Sequence, residues 1–185
     1  MIFAGVIAVF PFYHSCHELT GDVLRIHIKA NSNSAADQSL KLAVRDRVRR
    51  ECSALFDSCD SKDEALAVTQ AHLQQLRAAA ADEVRAQGFD YPVSAQTGLA
   101  YFNTRFYDRY TMPAGWYDAL RLTIGDGDGD NWWCVIYPSL CVGAACEDQM
   151  EDRLSEGEYT VVTSDQLDFR FKLVEYFEGF LNLFR

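Results

Sequence analysis

Several groups of reactive side chains stand out along the chain. Asp126, Asp128 and Asp130 alternate with glycine, and carboxylates at alternate positions converge on the metal in calcium-binding loops. Such a loop needs Gly at its sixth position and Glu at its twelfth, where this chain has Asn131 and Tyr137. A solvated turn is the better reading. His14, Cys16 and His17 have the chemistry of metal ligands but lack a fourth partner. His17-Glu18-Leu19-Thr20-Gly21 ends in Gly where a zinc protease would place its second His. No nucleophile elbow, P-loop, dinucleotide fingerprint or Asp-Thr-Gly occurs. Cys134 with His27 would make a nucleophile and its base, but sheets bring such neighbours together by chance. No catalytic residue, metal site or cofactor is assigned.

The six cysteines, at 16, 52, 59, 134, 141 and 146, form no CxxC pair, so zinc ribbons and thioredoxin-like chemistry have no support. Cys134 and Cys141 lie in the run from Asn131 to Cys141. If that strand turns back at Tyr137-Pro138, the two face each other at ~4.5–5.5 Å between Cα atoms, inside disulfide range. Closing so short a loop contributes roughly 2–3 kcal/mol in the chain-entropy model. Cys52 and Cys59 share that spacing, but on one helix they would stand about 10.5 Å apart along its axis. Their pairing requires the helix to end between them, which Asp57-Ser58 permits. The other reading makes all six small buried hydrophobes of a reduced protein. Arg45, Arg47, Arg49 and Arg50 are interleaved with Asp46 and Glu51, so they read as an ion-paired solvated face before they read as a site for an acidic partner.

The elements that position these residues follow from periodicity. Val23 to Ala30 alternates apolar and polar, the pattern of a half-buried strand. Ser34 followed by Asp37 resembles an N-cap, and Leu40, Val44, Val48 and Cys52 then mark one face of a helix over about 35–56. Ser61-Lys62-Asp63-Glu64 fits a capping box, opening a second helix that stops at Gly88. Strand period returns from Val93 to Tyr101, over 117–124 and over 131–136. Gly125 to Asp130, rich in residues that tolerate positive φ, reads as a hairpin turn. Residues 143–160 are acidic and weakly patterned, a loop or short irregular helix. Alternation from Leu167 to Leu173 predicts a strand, followed by a helix over about 173–184; one helix from Asp165 onward is the alternative. The aromatics of that helix read as core, because it lacks the Lys and Arg of a lipid-facing polar side. The fold class expected is α+β: a mostly antiparallel sheet packed by a helical hairpin and a C-terminal amphipathic helix.

With 185 residues, nearly half apolar, the chain has enough material for an ordinary core. Lys plus Arg number 17 against 27 Asp plus Glu, a formal charge of −10 that repels phosphate backbones and anionic lipid. Nucleic acid is therefore not an expected partner. The opening residues Met1 to Tyr13 carry no charge, and the first basic residue is Arg25. Residues 1–20 are read as a signal or anchor segment lacking its basic start, and 21–185 as a single α+β domain. A buried N-terminal strand or helix is the alternative.

Taken together, several segments resemble the stage II sporulation protein R family. They are Leu24-Arg25-Ile26-His27-Ile28-Lys29-Ala30-Asn31-Ser32 continuing through Asp37-Gln38 to Lys41 and Val44-Arg45-Asp46; Tyr101-Phe102-Asn103-Thr104-Arg105 with Pro113-Ala114-Gly115-Trp116-Tyr117-Asp118-Ala119-Leu120-Arg121; Asn131-Trp132-Trp133-Cys134 running to Pro138 and Cys141; and Arg170 to Phe177. The acidic stretch 143–160 matches nothing in that pattern. The resemblance implies a protein exported from the forespore into the space between forespore and mother-cell membranes. There, family members activate a membrane-embedded aspartic protease that matures the sigma factor sigma-E, acting as ligands rather than enzymes. Membrane contact is expected only through the N-terminal segment. An exported protein suits a Cys134–Cys141 bridge. Asn131, Trp132, Trp133 and Pro138 are the expected partner-binding residues, since Trp is enriched at binding hot spots. In a one-sided sheet only one of the adjacent tryptophans should be core. The rival expectation is an exported hydrolase with a Cys–His or carboxylate site.

Overall fold

The computed structural model describes residues 2–107, 110–138, 154–164 and 169–182. In chain order the elements are α1 (Ile2–Asp22), β1 (Leu24–Lys29), α2 (Ala35–Phe56), α3 (Lys62–Ala71), α4 (Leu73–Ala86), β2 (Val93–Phe102), β3 (Arg105–Tyr107), β4 (Tyr110–Met112), β5 (Gly115–Ile124), β6 (Asn131–Tyr137), α5 (Glu156–Val162) and α6 (Phe169–Asn182). This is an α+β protein with a mixed, mostly antiparallel sheet packed against helices. Its contacts group into two compact units. One comprises Val23–Gly98 and Asp118–Cys146; the other comprises Met1–Asp22, Leu99–Tyr117 and Glu147–Arg185.

In the first unit, the predicted helix starts are set by side-chain caps. Ser34 is extended (φ −61°, ψ 147°) and its hydroxyl accepts the Asp37 N–H at 3.1 Å, which opens α2. Leu40, Val44, Val48, Cys52 and Phe56 then form the buried i+4 row. Ser61 caps α3 through the Glu64 N–H at 3.2 Å, but the Glu64 carboxylate accepts the N–H of Asp60 instead of Ser61, at 2.8 Å. The expected single second helix is broken at His72, whose N–H turns to the carbonyls of Gln70 and Val68. Gly88, at φ +84°, follows the end of α4 in the left-handed region that favours glycine. Helices α2 and α3 pack on β1, and α2 also on β6 and α4.

The sheet order is β2-β5-β1-β6, with β1 parallel to β5 and antiparallel to β6. Residues 125–130 are thus not the hairpin turn that their composition suggests. They cross the end of β1, which lies between the two strands they join. Backbone and side-chain bonds hold this crossing onto residues 30–33. The carbonyl of Ala30 accepts the Gly129 N–H at 3.0 Å, and that of Asn31 accepts Asp128 at 3.1 Å. The Oδ1 atoms of Asn31 and Asn33 accept the N–H groups of Asp126 and Asp130, at 3.0 and 2.6 Å. Lys41 Nζ donates to the Asp130 carbonyl at 2.8 Å. A Cβ at Gly129 would collide with the Ser32 carbonyl, and one at Gly125 (φ +59°) with the Asn31 side chain.

Behind this crossing sits Asp37. Its Oδ2 accepts from Ser32 Oγ at 2.6 Å and from Asn31 Nδ2 at 2.9 Å, and the carboxylate is buried. The Ser32 and Asn31 hydrogen bonds, with help from Tyr91 and Ser34, hold its pKa below the usual carboxylate value.

In the second unit, Phe12, Cys16 and Leu19 of α1 are buried, and Phe12 meets Phe171 of α6 edge-on at 5.1 Å. Tyr13 donates to Glu178 at 3.0 Å. Gly157 of α5 leaves room for Ser15. Ser155 and Glu158 form a reciprocal capping box at the start of α5, placing a short helix at the end of the acidic stretch. Burial raises the Glu158 pKa, and neighbouring Asp22 adds to the rise. No described helix is long and apolar enough to cross a membrane. The small β3–β4 hairpin has no counterpart in the sequence reading.

The predicted strand over 167–173 is overturned from Phe169 onward, where α6 runs instead; residues 165–168 lie outside the described structure. Phe169, Phe171 and Leu173 alternate, but the pair that is buried is Phe171 with Val174, at helical spacing. Reading the helix's aromatics as core is also corrected, because Phe169, Tyr176, Phe177 and Phe180 are exposed, with Leu173 beside them.

Replacing the Asp37 carboxylate by a neutral amide removes the charge from the bonds donated by Asn31 and Ser32. Asp37→Asn is expected to lower stability by about 2–3 kcal/mol at neutral pH. Since folding lowers this pKa, the stabilisation is fully present above roughly pH 4 and is lost as pH falls through the folded-state value. Urea unfolding of both proteins should show the gap narrowing toward pH 3. A gap that is independent of pH would contradict the charge-based account.

Candidate functional site

Strand pairing fixes which face each residue of β6 presents. Trp132 lies opposite Ile28, Trp133 opposite His27 and Asn131 opposite Lys29. Ile26, Ile28, Cys134 and Trp132 therefore share the face covered by the helices. Arg25, His27, Lys29, Asn131 and Trp133 share the other face, with Ala119, Arg121 and Thr123 of β5 beside them. The adjacent tryptophans are both half-buried, so the expectation that one of them is core is corrected. Each is held by a cation or an aromatic ring instead of by apolar packing alone. The Arg45 guanidinium of α2 lies 5.3 Å from the Trp132 ring centre, within cation–π range, while also making two bonds to Asp46 at 2.8 and 3.0 Å.

On the opposite face Trp133 stacks on His27, with ring centres 3.7 Å apart and planes 5° from parallel. His27 Nε2 is 2.8 Å from Asn131 Oδ1. Next to His27 in the register is Arg121, half-buried, whose Nε is buried without a hydrogen-bond partner. Its guanidinium lies over Gly98 of β2, where a Cβ would come within 3.8 Å of Nη2. Deeper on this face Arg25 is fully buried, and its Nε donates to the Cys134 carbonyl at 3.1 Å. The result is a ring-stacked, hydrogen-bonded platform flanked by Arg121 and Lys29.

Of the residues expected from sequence, Asn131, Trp132 and Trp133 gather at one end of β6, while Pro138 is buried beyond its other end. Cys141 lies outside the described residues. Cys134 and His27 point to opposite faces of the sheet, so they do not form a nucleophile–base pair. Cys16, Cys52 and Cys59 are buried and not disulfide-bonded, and burial pushes the Cys52 thiol up to about 12. His14 and His17 are exposed on α1 while Cys16 is buried. Asp126, Asp128 and Asp130 are exposed, with the N–H groups of all three bound to the β1 end. Arg45, Arg47 and Arg49 pair with Asp46 and Glu51, the ion-paired face read from sequence. Sequence reasoning missed His27 as the base of the Trp133 stack, and missed Arg121. The polar positions of two alternating strands, Arg25-x-His27-x-Lys29 and Arg121-x-Thr123, were the available signal.

Residues 20–147 match the family model described as stage II sporulation protein R. The chain belongs to that family. The stage II sporulation protein R of Bacillus subtilis (strain 168) is 34% identical over 147 residues, covering 77% of this chain. The match spans 66% of that relative's length. No solved structure matches. The family match includes the whole of β1 through β6, and with it every residue of the platform.

The Trp133–His27 stack predicts a coupling that a double-mutant cycle can measure. Trp133→Ala and His27→Ala should show an interaction of about 0.5–1.5 kcal/mol in urea unfolding. Each single change should cost less than Leu120→Ala in the core, for which about 2–5 kcal/mol is expected. Strictly additive single effects would refute the stack.

Proposed function

We propose that this protein is an exported signal of endospore formation that activates a membrane-embedded aspartic protease, leading to pro-sigma-E processing. Family membership supports the sporulation role. The observation that carries the reading is the platform of Trp133, His27, Asn131 and Arg121. The aromatic anchor is partly exposed, oriented by its neighbours and flanked by the half-buried Arg121. Such a surface offers a hot spot for the extracytoplasmic part of the protease. A ligand of this kind activates by binding the active state of its partner more tightly than the inactive one.

The protein acts in the space between forespore and mother-cell membranes. A Cys134–Cys141 bridge would suit that oxidising location, and Cys134 is not among the free thiols. The protein works without catalysis of its own, a reading supported by the opposed orientation of Cys134 and His27.

The test is reconstitution in a non-sporulating host that carries the protease and pro-sigma-E. The exported wild-type protein should trigger processing. Trp133→Ala and Arg121→Ala should each reduce it at least tenfold, whereas Cys59→Ala and the triple change of Asp126, Asp128 and Asp130 to Asn should not. Full activity of a folded Trp133→Ala, Arg121→Ala double variant would refute the platform as the contact surface. Processing that proceeds equally without this protein would refute the activator role.

A further inference from the structure

Helix α6 carries two apolar stripes. One is buried and, among the described residues, includes Phe171 and Val174, each 2% exposed. The other faces outward: Phe169 is 68% exposed, Leu173 43%, Tyr176 76%, Phe177 49% and Phe180 55%. Phe169, Leu173, Tyr176 and Phe180 follow one another at spacings of four, three and four, the narrow seam of a helix that packs against another helix. Phe177 widens the seam on one side, its ring edge-on to Tyr13 at 5.1 Å.

We propose that this stripe is the interface of a two-fold homodimer, in which α6 packs against α6 of a second copy. The choice of occupant rests on charge and on area. Lipid is a poor fit. A helix that lies in a membrane surface draws on Lys and Arg along its polar side. Here Arg170 and Lys172 are balanced by Glu175 and Glu178 on a chain of net charge −10. Those charges are also spent inside the unit: Lys172 binds Glu175 at 2.6 Å, Glu178 accepts from Tyr13, and the Arg170 guanidinium sits 4.2 Å from the Phe12 ring centre.

The area suits a second copy. At roughly 200 Å² for a large side chain, the exposed fractions amount to about 600 Å² of apolar surface per copy. That is the upper end of what a monomer leaves uncovered. Two copies covering each other's stripe would bury about 1,200 Å², above the ~1,000 Å² expected of a specific contact and in the range of a reversible one. A two-fold axis satisfies the same stripe twice with one set of residues, so no further complementary surface is needed.

The experiment is sedimentation velocity on the full chain from about 1 to 300 µM. A monomer–dimer equilibrium with Kd on the order of 10 µM is expected. Tyr176→Glu should weaken it at least tenfold with unchanged far-UV circular dichroism, while Leu42→Glu on the exposed side of α2 should leave it intact. Should Tyr176→Glu disturb folding, Tyr176→Cys supplies the readout. Mild oxidation should then yield a covalent dimer, and Leu42→Cys should yield none. A protein that stays monomeric to 300 µM would overturn the proposal, as would a dimer that Tyr176→Glu leaves unchanged. So would flotation with neutral or anionic phospholipid vesicles that Tyr176→Glu abolishes in a monomeric protein.

Discussion

The carboxylate of Asp37 is the point on which the sheet is organised. A central strand that is parallel to one neighbour and antiparallel to the other needs a connection that passes over its end, and such a connection leaves many backbone N–H groups without strand partners. Here the end of β1 itself supplies the acceptors, through the carbonyls of Ala30 and Asn31 and the amide oxygens of Asn31 and Asn33. Asn31 can present its oxygen to Asp126 only if its NH₂ is satisfied elsewhere, and Asp37 does that while also fixing Ser32. The same Asp37 lies in the first turn of α2, where a negative charge is favoured by the helix dipole. One ionised group thus ties together a helix start, a strand end and a loop distant in sequence. The loop delivers Asn131, and so the register that sets Trp132 and Trp133 on opposite faces, follows from it.

This explains how the chain could be read and where the reading stopped. Ser34, the i+4 row from Leu40 to Cys52, Gly88 and the alternation of β1 are local signals, and each element formed where its signal lies. The sheet order is not local. Gly125 to Asp130 has the composition of a tight reversal, and nothing within it says that a strand from a hundred residues earlier fills the gap. The information lies in Asn31 and Asn33, which look like ordinary turn residues until their acceptors are seen to match donors across the sheet. His72 breaks a helix whose apolar period continues through it, so periodicity alone cannot see the break.

The C-terminal helix failed differently. Over five residues, Phe169 to Leu173 fit a strand period, and a short window cannot separate that from a helix with two apolar stripes. The usual assumption that large aromatics are buried then favoured core. Among its described side chains the helix buries Phe171 and Val174, and its other side carries a cluster of exposed apolar residues. Burial is a one-way rule: the exposed cluster is the informative observation. The tryptophan pair makes the same point on a smaller scale, since pleating decides that Trp132 and Trp133 part company but not what meets either ring.

On the proposed reading the platform is a contact surface, and such a surface gains from being held in one geometry, because each rotamer frozen on binding costs about 0.5–1.5 kcal/mol of the affinity it could otherwise contribute. The platform is ordered beforehand by the sheet. His27 belongs to the central region of the sheet and is itself 9% exposed, so the ring on which Trp133 rests cannot swing away. Asn131 fixes the His27 ring from the other side. Beside it stands Arg121, half-buried, its Nε enclosed without an acceptor. An enclosed donor in that state costs stability, and only the exposed remainder of the side chain is open to a partner. The proposed partner would then meet the exposed part of Arg121 at the same time as it covers Trp133. On the proposed reading, the coincidence of those two demands, more than the apolar area alone, is what sets the specificity of the surface.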